Sequence, residues 1–125
     1  MGYYTCYSMK ARNIKNQTEF DNLITTLKAR EVVVDYDNKN SFGIFDNYSF
    51  DISDNTASFE SYDEHKWYEH DKDMIEISTV FPDVVFCLHG EGEEHDDLWN
   101  AYYSNGNLET CRARIIYDNP KTIKW

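Results

Sequence analysis

The segment LWNAYYSNGNLETCRARIIYDN, residues 98–119, contains the clearest structural signal in the chain. Asn105-Gly106 lies near its centre, with stretches rich in aromatic, β-branched and other apolar residues on both sides. An Asn-Gly pair favours a two-residue β-turn, because both central positions of that turn need a positive φ. The segment therefore predicts an antiparallel hairpin, and with it a fold that is built on an antiparallel sheet.

A helix is indicated by the segment NQTEFDNLITTLKAR, residues 16–30. Four apolar residues recur there with the spacing of one helix face: Phe20, Leu23, Ile24 and Leu27. Asn16 followed by Glu19 matches a capping box, and Thr18 is an alternative cap. We therefore predict a helix over residues 18–29 whose apolar face is buried.

The remaining elements follow from periodicity and from breaker residues. The segment EHDKDMIEISTVFP, residues 69–82, predicts a second helix that ends at Pro82. Strands or strand pieces are predicted at 3–13, 31–36, 42–45, 48–53, 56–63 and 83–90. Strands separated by two helices favour an α+β protein. We expect a single domain over 1–125, a ferredoxin-like sandwich with an antiparallel sheet, two helices on one face and an extra C-terminal β-hairpin.

Charge is distributed unevenly along the chain. The formal net charge is −11. Residues 1–30 carry +3, residues 31–63 carry −7, residues 64–97 carry −9, and residues 98–125 carry +2. Nucleic acids and anionic membranes are bound by clustered Lys and Arg, so this balance argues against direct binding of either. It leaves two interpretations, a surface for a basic partner or charge that keeps a small protein soluble.

The cysteine pattern and the lack of long apolar runs favour a location in the reducing cytoplasm. Cys6, Cys87 and Cys111 are an odd number without a CxxC pair, which is typical of reduced thiols, each a small buried hydrophobe. No run approaches the roughly 20 apolar residues that cross a bilayer, and the first residues contain no apolar signal-peptide region. We therefore expect a cytoplasmic protein.

The segment HGEGEEHDDLW, residues 89–99, is the densest group of chemically active side chains. His89 and His95 with nearby carboxylates form the candidate set for a metal-dependent enzyme, although the sequence has no HExxH motif and no EF-type calcium loop. Cys87 and His89 share a strand face but lack an evident third group that would orient the imidazole. The simpler interpretation is a solvated loop in which glycines relieve crowding, with no metal and no cofactor.

The segment KWYEH, residues 66–70, places two large aromatic residues among charges. Trp67 and Tyr68 either pack under the second helix or form an exposed anchor, because Trp and Tyr are enriched in binding hot spots. The two alternatives stay open at the level of sequence.

A resemblance covers about the last 60 residues of the chain. Residues 66–106, KWYEHDKDMIEISTVFPDVVFCLHGEGEEHDDLWNAYYSNG, resemble small uncharacterised phage and prophage proteins, and these resemble the ferredoxin-like domain of YubB-type proteins. The resemblance rests on these pieces: Trp67-Tyr68, the helix with Met74, Phe81-Pro82, residues 90–93, Trp99, Tyr102 and Asn105-Gly106. It implies the fold and a mobile-element origin in a bacterial host cell, and it implies no catalytic residue.

We hypothesise a non-catalytic protein that binds and inhibits a host protein. An acidic surface can substitute for a phosphate backbone and fill the basic channel of a nucleic-acid-binding defence effector, such as a CRISPR effector or a restriction enzyme. The candidate binding residues are Glu91, Glu93, Glu94, Asp96 and Asp97, a second patch of Asp63, Glu64, Glu69, Asp71 and Asp73, and the aromatics Trp67 and Tyr68. The alternatives are the metal-dependent enzyme and a homo-oligomeric module, for example a homodimer, in which the basic ends of one copy meet the acidic middle of another.

Overall fold

The computed structural model describes residues 2–124 and shows an α+β protein. Six strands and two helices follow one another along the chain: β1 (Cys6–Arg12), α1 (Gln17–Ala29), β2 (Asn47–Asp51), β3 (Thr56–Glu60), α2 (His70–Val80), β4 (Val85–Glu91), β5 (Leu98–Ser104) and β6 (Asn107–Arg112). The strands form one antiparallel sheet in the order β2-β3-β1-β4-β5-β6. The prediction of an α+β class with an antiparallel sheet and two helices is confirmed, and the arrangement is compatible with a ferredoxin-like fold.

The core lies on one face of the sheet. Met9 in β1 stands opposite Phe59 in β3 and Leu88 in β4, and all three side chains are buried. The buried residues of both helices belong to the same hydrophobic cluster. Alternate residues of the central strands, such as Lys10 and His89, point to the opposite face, which is only partly buried or exposed. The sheet therefore has a covered face and an open face.

Helix α1 has the predicted apolar face, with Phe20, Leu23, Ile24 and Leu27 buried. Asn16 is the cap, because its side-chain oxygen accepts a hydrogen bond from the Glu19 N–H at 2.9 Å. The Glu19 carboxylate accepts from the N–H of Lys15 at 3.0 Å, one residue earlier than in a standard capping box. The cap alternative at Thr18 is therefore wrong, and the helix begins at Gln17.

Helix α2 is joined to the turn between β5 and β6 by a buried serine. The Ser78 hydroxyl donates to the Ile75 carbonyl and accepts from the Gly106 N–H, both at 2.8 Å. Asn105 and Gly106 have φ angles of 47° and 81°, the positive values that this turn requires. A polar residue on the apolar side of α2 thus satisfies a backbone group of the neighbouring turn.

Two predicted strands are absent from the sheet. Residues 31–36 and 42–45 make one isolated bridge, Val33 to Phe45, and are otherwise loop. Val32 and Val33 are fully buried, but their N–H groups bond back to the Leu27 carbonyl at the end of α1. These valines are apolar because they pack in the core, and their one bridge to Phe45 does not extend into a strand of the sheet.

The prediction that the three cysteines are buried is also wrong. All three are free thiols; Cys6 and Cys111 are exposed, and Cys87 is half-buried. Cys6 and Cys87 belong to the open face of the sheet, and Cys111 lies in the exposed edge strand β6. No helix within residues 2–124 is long and apolar enough to span a membrane.

Candidate functional site

The N-terminal residues 3–6 connect two acidic stretches that are distant in sequence. Thr5 exchanges both backbone hydrogen bonds with His65 at 2.9 Å. The Tyr3 hydroxyl donates to Asp97 at 2.7 Å, and the Tyr3 N–H donates to the Tyr68 hydroxyl at 2.8 Å. The segment therefore holds residues 63–69 on one side and residues 91–97 on the other.

Cys6 marks the place where the two stretches meet. Its thiol lies 3.8 Å from a carboxylate oxygen of Glu64, and its backbone is opposite Glu91 in the β1–β4 pairing. Partial desolvation, followed by the negative charges of Glu64 and Glu91, raises the pKa of the Cys6 thiol. The two predicted patches are thus brought together at one end of the sheet.

Seven of the ten predicted carboxylate residues are exposed at or beside this junction. We call them the acidic surface: Asp63, Glu64, Glu69, Glu91, Glu93, Glu94 and Asp96. Glu93 also accepts a hydrogen bond from the Tyr4 N–H at 3.1 Å, which fixes it against the N-terminal segment. Lys66 lies next to this surface, with its ammonium 4.8 Å from the centre of the Tyr4 ring.

The other three carboxylates have structural partners. Asp71 accepts a hydrogen bond from the Tyr103 hydroxyl, and burial together with this bond raises the pKa of Tyr103. Asp73 accepts from the Trp67 indole N–H at 2.8 Å. Asp97 is 22% exposed and accepts from Arg112 at 3.0 Å as well as from Tyr3. The main contacts of these three carboxylates are therefore with other side chains of the protein.

Asp97 is the best-connected carboxylate at this end. The Tyr3 hydroxyl, and then the Arg112 guanidinium, hold the pKa of Asp97 below its ordinary value. The same hydrogen bond raises the pKa of the Tyr3 phenol. Both shifts favour an ionised Asp97 that accepts a hydrogen bond from the neutral Tyr3 hydroxyl, and this bond ties the loop between β4 and β5 to the N-terminal segment.

Trp67 is a core residue and not an exposed anchor. It is 7% exposed, and its ring packs edge-on against Tyr7 and Phe45 at centroid distances of 5.4 and 6.3 Å. The core alternative therefore holds for Trp67. Tyr68 is 64% exposed and remains on the surface, where its hydroxyl accepts from Tyr3.

A cleft of about 320 Å³ opens between the two acidic stretches. Four aromatic rings that approach one another line it: Tyr7, Trp67, His70 and Trp99. The His70 imidazole stacks on the Trp99 indole at 4.9 Å. Asp71, Asp97 and Arg112 also line the cleft. The cleft therefore presents aromatic rings and two carboxylates beside the acidic surface.

Two glycines in residues 89–99 are required by close packing. A Cβ atom on Gly90 would lie 2.2 Å from the Trp99 ring, which covers this position from the neighbouring strand. A Cβ atom on Gly92 would lie 2.0 Å from the Asp97 carboxylate and 2.3 Å from the Tyr3 hydroxyl. Relief of crowding, the simpler interpretation of this segment, therefore accounts for both glycines.

The two histidines of this segment do not form a metal site with its carboxylates. Nδ1 of His89 contacts the Asn100 side-chain oxygen at 2.7 Å, and Nε2 contacts Glu91 at 3.2 Å. His95 is exposed in the loop. Among the residues that the structure describes, no group of three or more His, Cys, Asp and Glu side chains could hold a metal ion. The hypothesis of a metal-dependent enzyme needs several such side chains around one point, and the described residues do not provide them.

A Cys-His nucleophile is equally unsupported by the contacts of His89. Asn100 supplies the orienting group that the sequence did not reveal. However, Nε2, the nitrogen left to take a thiol proton, faces the Glu91 carboxylate. Cys87 instead neighbours the Tyr102 hydroxyl, and this contact raises the pKa of Tyr102.

No protein-family model, curated protein or solved structure matches this chain.

Three residues that assemble the site were not among the predicted ones. Tyr3, Tyr103 and Arg112 each bind a predicted carboxylate across at least 15 residues of sequence. Their spacing follows no motif, because the pairs meet only through the sheet topology. The sequence offered one signal of these contacts, the two glycines of residues 89–99. Gly90 lies against the Trp99 ring, and Gly92 lies against the Asp97 carboxylate and the Tyr3 hydroxyl.

Proposed function

We propose that this protein is a non-catalytic binding protein that uses the acidic surface to bind a basic surface of another protein. The observation that carries the proposal is the junction at residues 3–6, which brings carboxylates from two separate stretches onto one end of the molecule. A continuous acidic surface steers a basic partner and raises the association rate. A set of charges needed only for solubility would not need such a junction.

The aromatic cleft beside the acidic surface supports a specific docking mode. A Lys or Arg side chain of the partner would enter it, because cations are attracted both to carboxylates and to the faces of aromatic rings. Asp97 is held ionised by its neighbours, as its lowered pKa indicates. Trp67 and Trp99 would then act as fixed walls, while Tyr68, at the exposed rim, would make the direct aromatic contact.

For the partner class we propose a nucleic-acid-binding defence effector of a bacterial host, which the protein inhibits by mimicking nucleic acid. The −16 formal charge of residues 31–97 supports mimicry of nucleic acid, and the bacterial host follows from the mobile-element origin that the resemblance of residues 66–106 implies. The strand order, with β5 and β6 beyond β4, supports a ferredoxin-like sandwich that is extended by a C-terminal hairpin.

The test is a pair of charge reversals that change the net charge equally. The test variant is Glu94→Lys with Asp96→Lys, since both residues are exposed and their side chains make no hydrogen bond within the described part of the chain. Glu91 and Glu93 are spared because they contact His89 and Tyr4. The double change should cost at most about 1 kcal/mol of stability, since solvated sites tolerate substitution within about 0.5 kcal/mol each.

The control variant is Asp54→Lys with Asp83→Lys. Both carboxylates are exposed and lie near the end of the sheet where Arg12 faces Val85, opposite the Cys6 end. Asp83 loses an exposed ion pair with Lys15, and such pairs contribute about 0–1 kcal/mol.

A partner would be captured from bacterial lysate with the parent protein, identified by mass spectrometry and purified. Its association with each variant would then be measured at several salt concentrations. We expect association at least tenfold slower for the test variant and less than twofold slower for the control. The rate of the parent should fall steeply with salt. Duplex or single-stranded nucleic acid should compete for the partner. Equal rates for all three proteins, or no captured partner, would refute the proposal.

A further inference from the structure

The open face of the sheet contains a second and larger cleft, of about 460 Å³. It lies over the central strands β1, β3 and β4 and extends to Tyr102 in β5. Small-molecule sites typically have volumes of about 300–1,000 Å³. The cleft therefore has the size of a ligand site, and it faces away from both helices.

Two cations of β1 line this cleft. Lys10 and Arg12 point to the same face because they are two residues apart in a strand, roughly 7 Å along it. Within the described residues neither side chain makes a hydrogen bond or an ion pair, whereas Arg30, for example, pairs with Glu76. The hydroxyl-bearing Ser58 stands directly opposite Lys10 in the sheet. The three side chains provide donors for one anionic group.

Tyr102 provides a flat surface at the other side of the cleft. It is 37% exposed, and it stands two strands from Lys10, with Cys87 between them. Neighbouring strands are about 4.8 Å apart, so the Lys10 and Tyr102 backbones are separated by roughly 10 Å. Val85 adds apolar surface between the cations and the tyrosine. A ligand that reaches both ends needs an anionic group and a ring.

The acidic surface does not cancel this local positive charge. Arg12 lies six residues from Cys6 along β1, roughly 20 Å, and Lys10 about 13 Å. Both separations exceed the screening length of about 8–10 Å at 0.1–0.15 M salt. Among the described residues that line the cleft, Glu60 is the one carboxylate. The two cations therefore favour a small anion at this cleft, while the total charge of −11 still repels a long polyanion.

We propose that the open-face cleft binds a small phosphate ester that carries a flat ring, of the size of a nucleoside monophosphate. Lys10 and Arg12 hold the phosphate, the Ser58 hydroxyl donates to it, and the ring stacks on Tyr102. The four residues that would contact the ligand are not part of the acidic surface, although His89 at the near end of the cleft contacts Glu91.

The experiment titrates three probes into the intact protein: adenosine monophosphate, adenosine and inorganic phosphate. Amide NMR shifts report where each probe binds, and calorimetry reports the affinity. We expect adenosine monophosphate to shift the amides of Lys10, Arg12, Ser58 and Tyr102. It should bind at least tenfold more tightly than either part alone, because both ends of the cleft contribute.

The variant Lys10→Gln with Arg12→Gln should weaken binding of adenosine monophosphate at least tenfold. The matched control is Lys28→Gln with Lys72→Gln, two helix lysines outside the cleft of which Lys28 is half-buried and Lys72 exposed, and it should change the affinity less than twofold. Tyr102→Leu should remove the advantage of adenosine monophosphate over inorganic phosphate while the protein keeps its melting temperature within a few degrees.

Three results would overturn the proposal: no shifts at 10 mM adenosine monophosphate, shifts centred away from the cleft, or equal affinities for adenosine monophosphate and inorganic phosphate. The charge reversal Glu94→Lys with Asp96→Lys should leave this binding unchanged. The experiments therefore distinguish a wrong proposal for the open-face cleft from a wrong proposal for the acidic surface.

Discussion

Gly90→Ala should destabilise the protein through a collision with one rigid ring. The added Cβ atom would lie 2.2 and 2.3 Å from Cζ2 and Cε2 of Trp99, whereas carbon atoms in contact stay about 3.5–4.0 Å apart. The ring would have to move by more than about 1 Å. Trp99 is 8% exposed and is stacked on His70, so it has little free space. Overpacking of this kind costs about 1–3 kcal/mol.

We expect the upper part of that range, about 2–3 kcal/mol, because the contact is so short. At about 4 °C per kcal/mol for a chain of this size, the melting temperature should fall by roughly 8–12 °C. Urea unfolding followed by tryptophan fluorescence gives the free energy of unfolding directly. The matched control is Gly2→Ala, whose Cβ atom would also be crowded, but by the flexible end of Lys66 and the exposed Tyr68. It should cost less than about 0.5 kcal/mol.

A double-mutant cycle identifies the cause. In a Trp99→Leu background the ring is gone, so adding Gly90→Ala should cost less than about 1 kcal/mol. The two changes should therefore show a coupling of about 1–2 kcal/mol. If the Gly90→Ala variant is as stable as the parent, the Trp99 ring does not exclude a side chain at residue 90. If the effects of Gly90→Ala and Trp99→Leu are additive, the collision with Trp99 is not the cause of the destabilisation.

The other predictions concern helix α1 and the carboxylate at the end of the sheet. Leu23→Ala and Leu27→Ala should each lower the free energy of unfolding by about 2–5 kcal/mol, because both side chains are fully buried, and two unchanged urea midpoints would contradict the packing of α1. Asn16→Ala should cost about 0.5–2 kcal/mol through loss of the cap, and Thr18→Ala much less, as thermal melting of both variants would show. The lowered pKa of Asp97 stabilises the fold at pH values above the unfolded aspartate pKa, about 3.9, and this stabilisation is lost as the pH falls through the lower folded pKa. Asp97→Asn should therefore be less stable than the parent at pH 7, and the difference should shrink below pH 4.

Local features of the chain were predictable from sequence, and long-range ones were not. The apolar face of α1 and its cap at Asn16 depend on residues within two turns of one another, so their spacing is readable. The strand predicted at Val32 and Val33 is absent because burial in a loop and burial in a sheet give the same short apolar run.

In the candidate site, too, local features were predictable from the sequence and long-range contacts were not. The density of carboxylates was visible in the sequence, and seven of the ten residues are exposed. The internal contacts of Asp71, Asp73 and Asp97 were not visible, because their partners come from other elements. Trp67 could not be assigned to core or surface from its neighbours, since both alternatives place an aromatic residue beside charges.

The hydrogen bond between Tyr3 and Asp97 spans 94 residues, and this separation has a consequence for the order of folding. Contacts between distant residues form late, because closing a long loop has an entropic cost. During synthesis the carboxylates of residues 63–69 emerge well before Asp97, and at that stage they belong to a separate segment of chain. The acidic surface therefore forms only when residues 3–6 and residues 91–97 are together. A chain that is cut before β5, or whose N-terminal residues are held by a fused protein, would keep the charges and lose their arrangement.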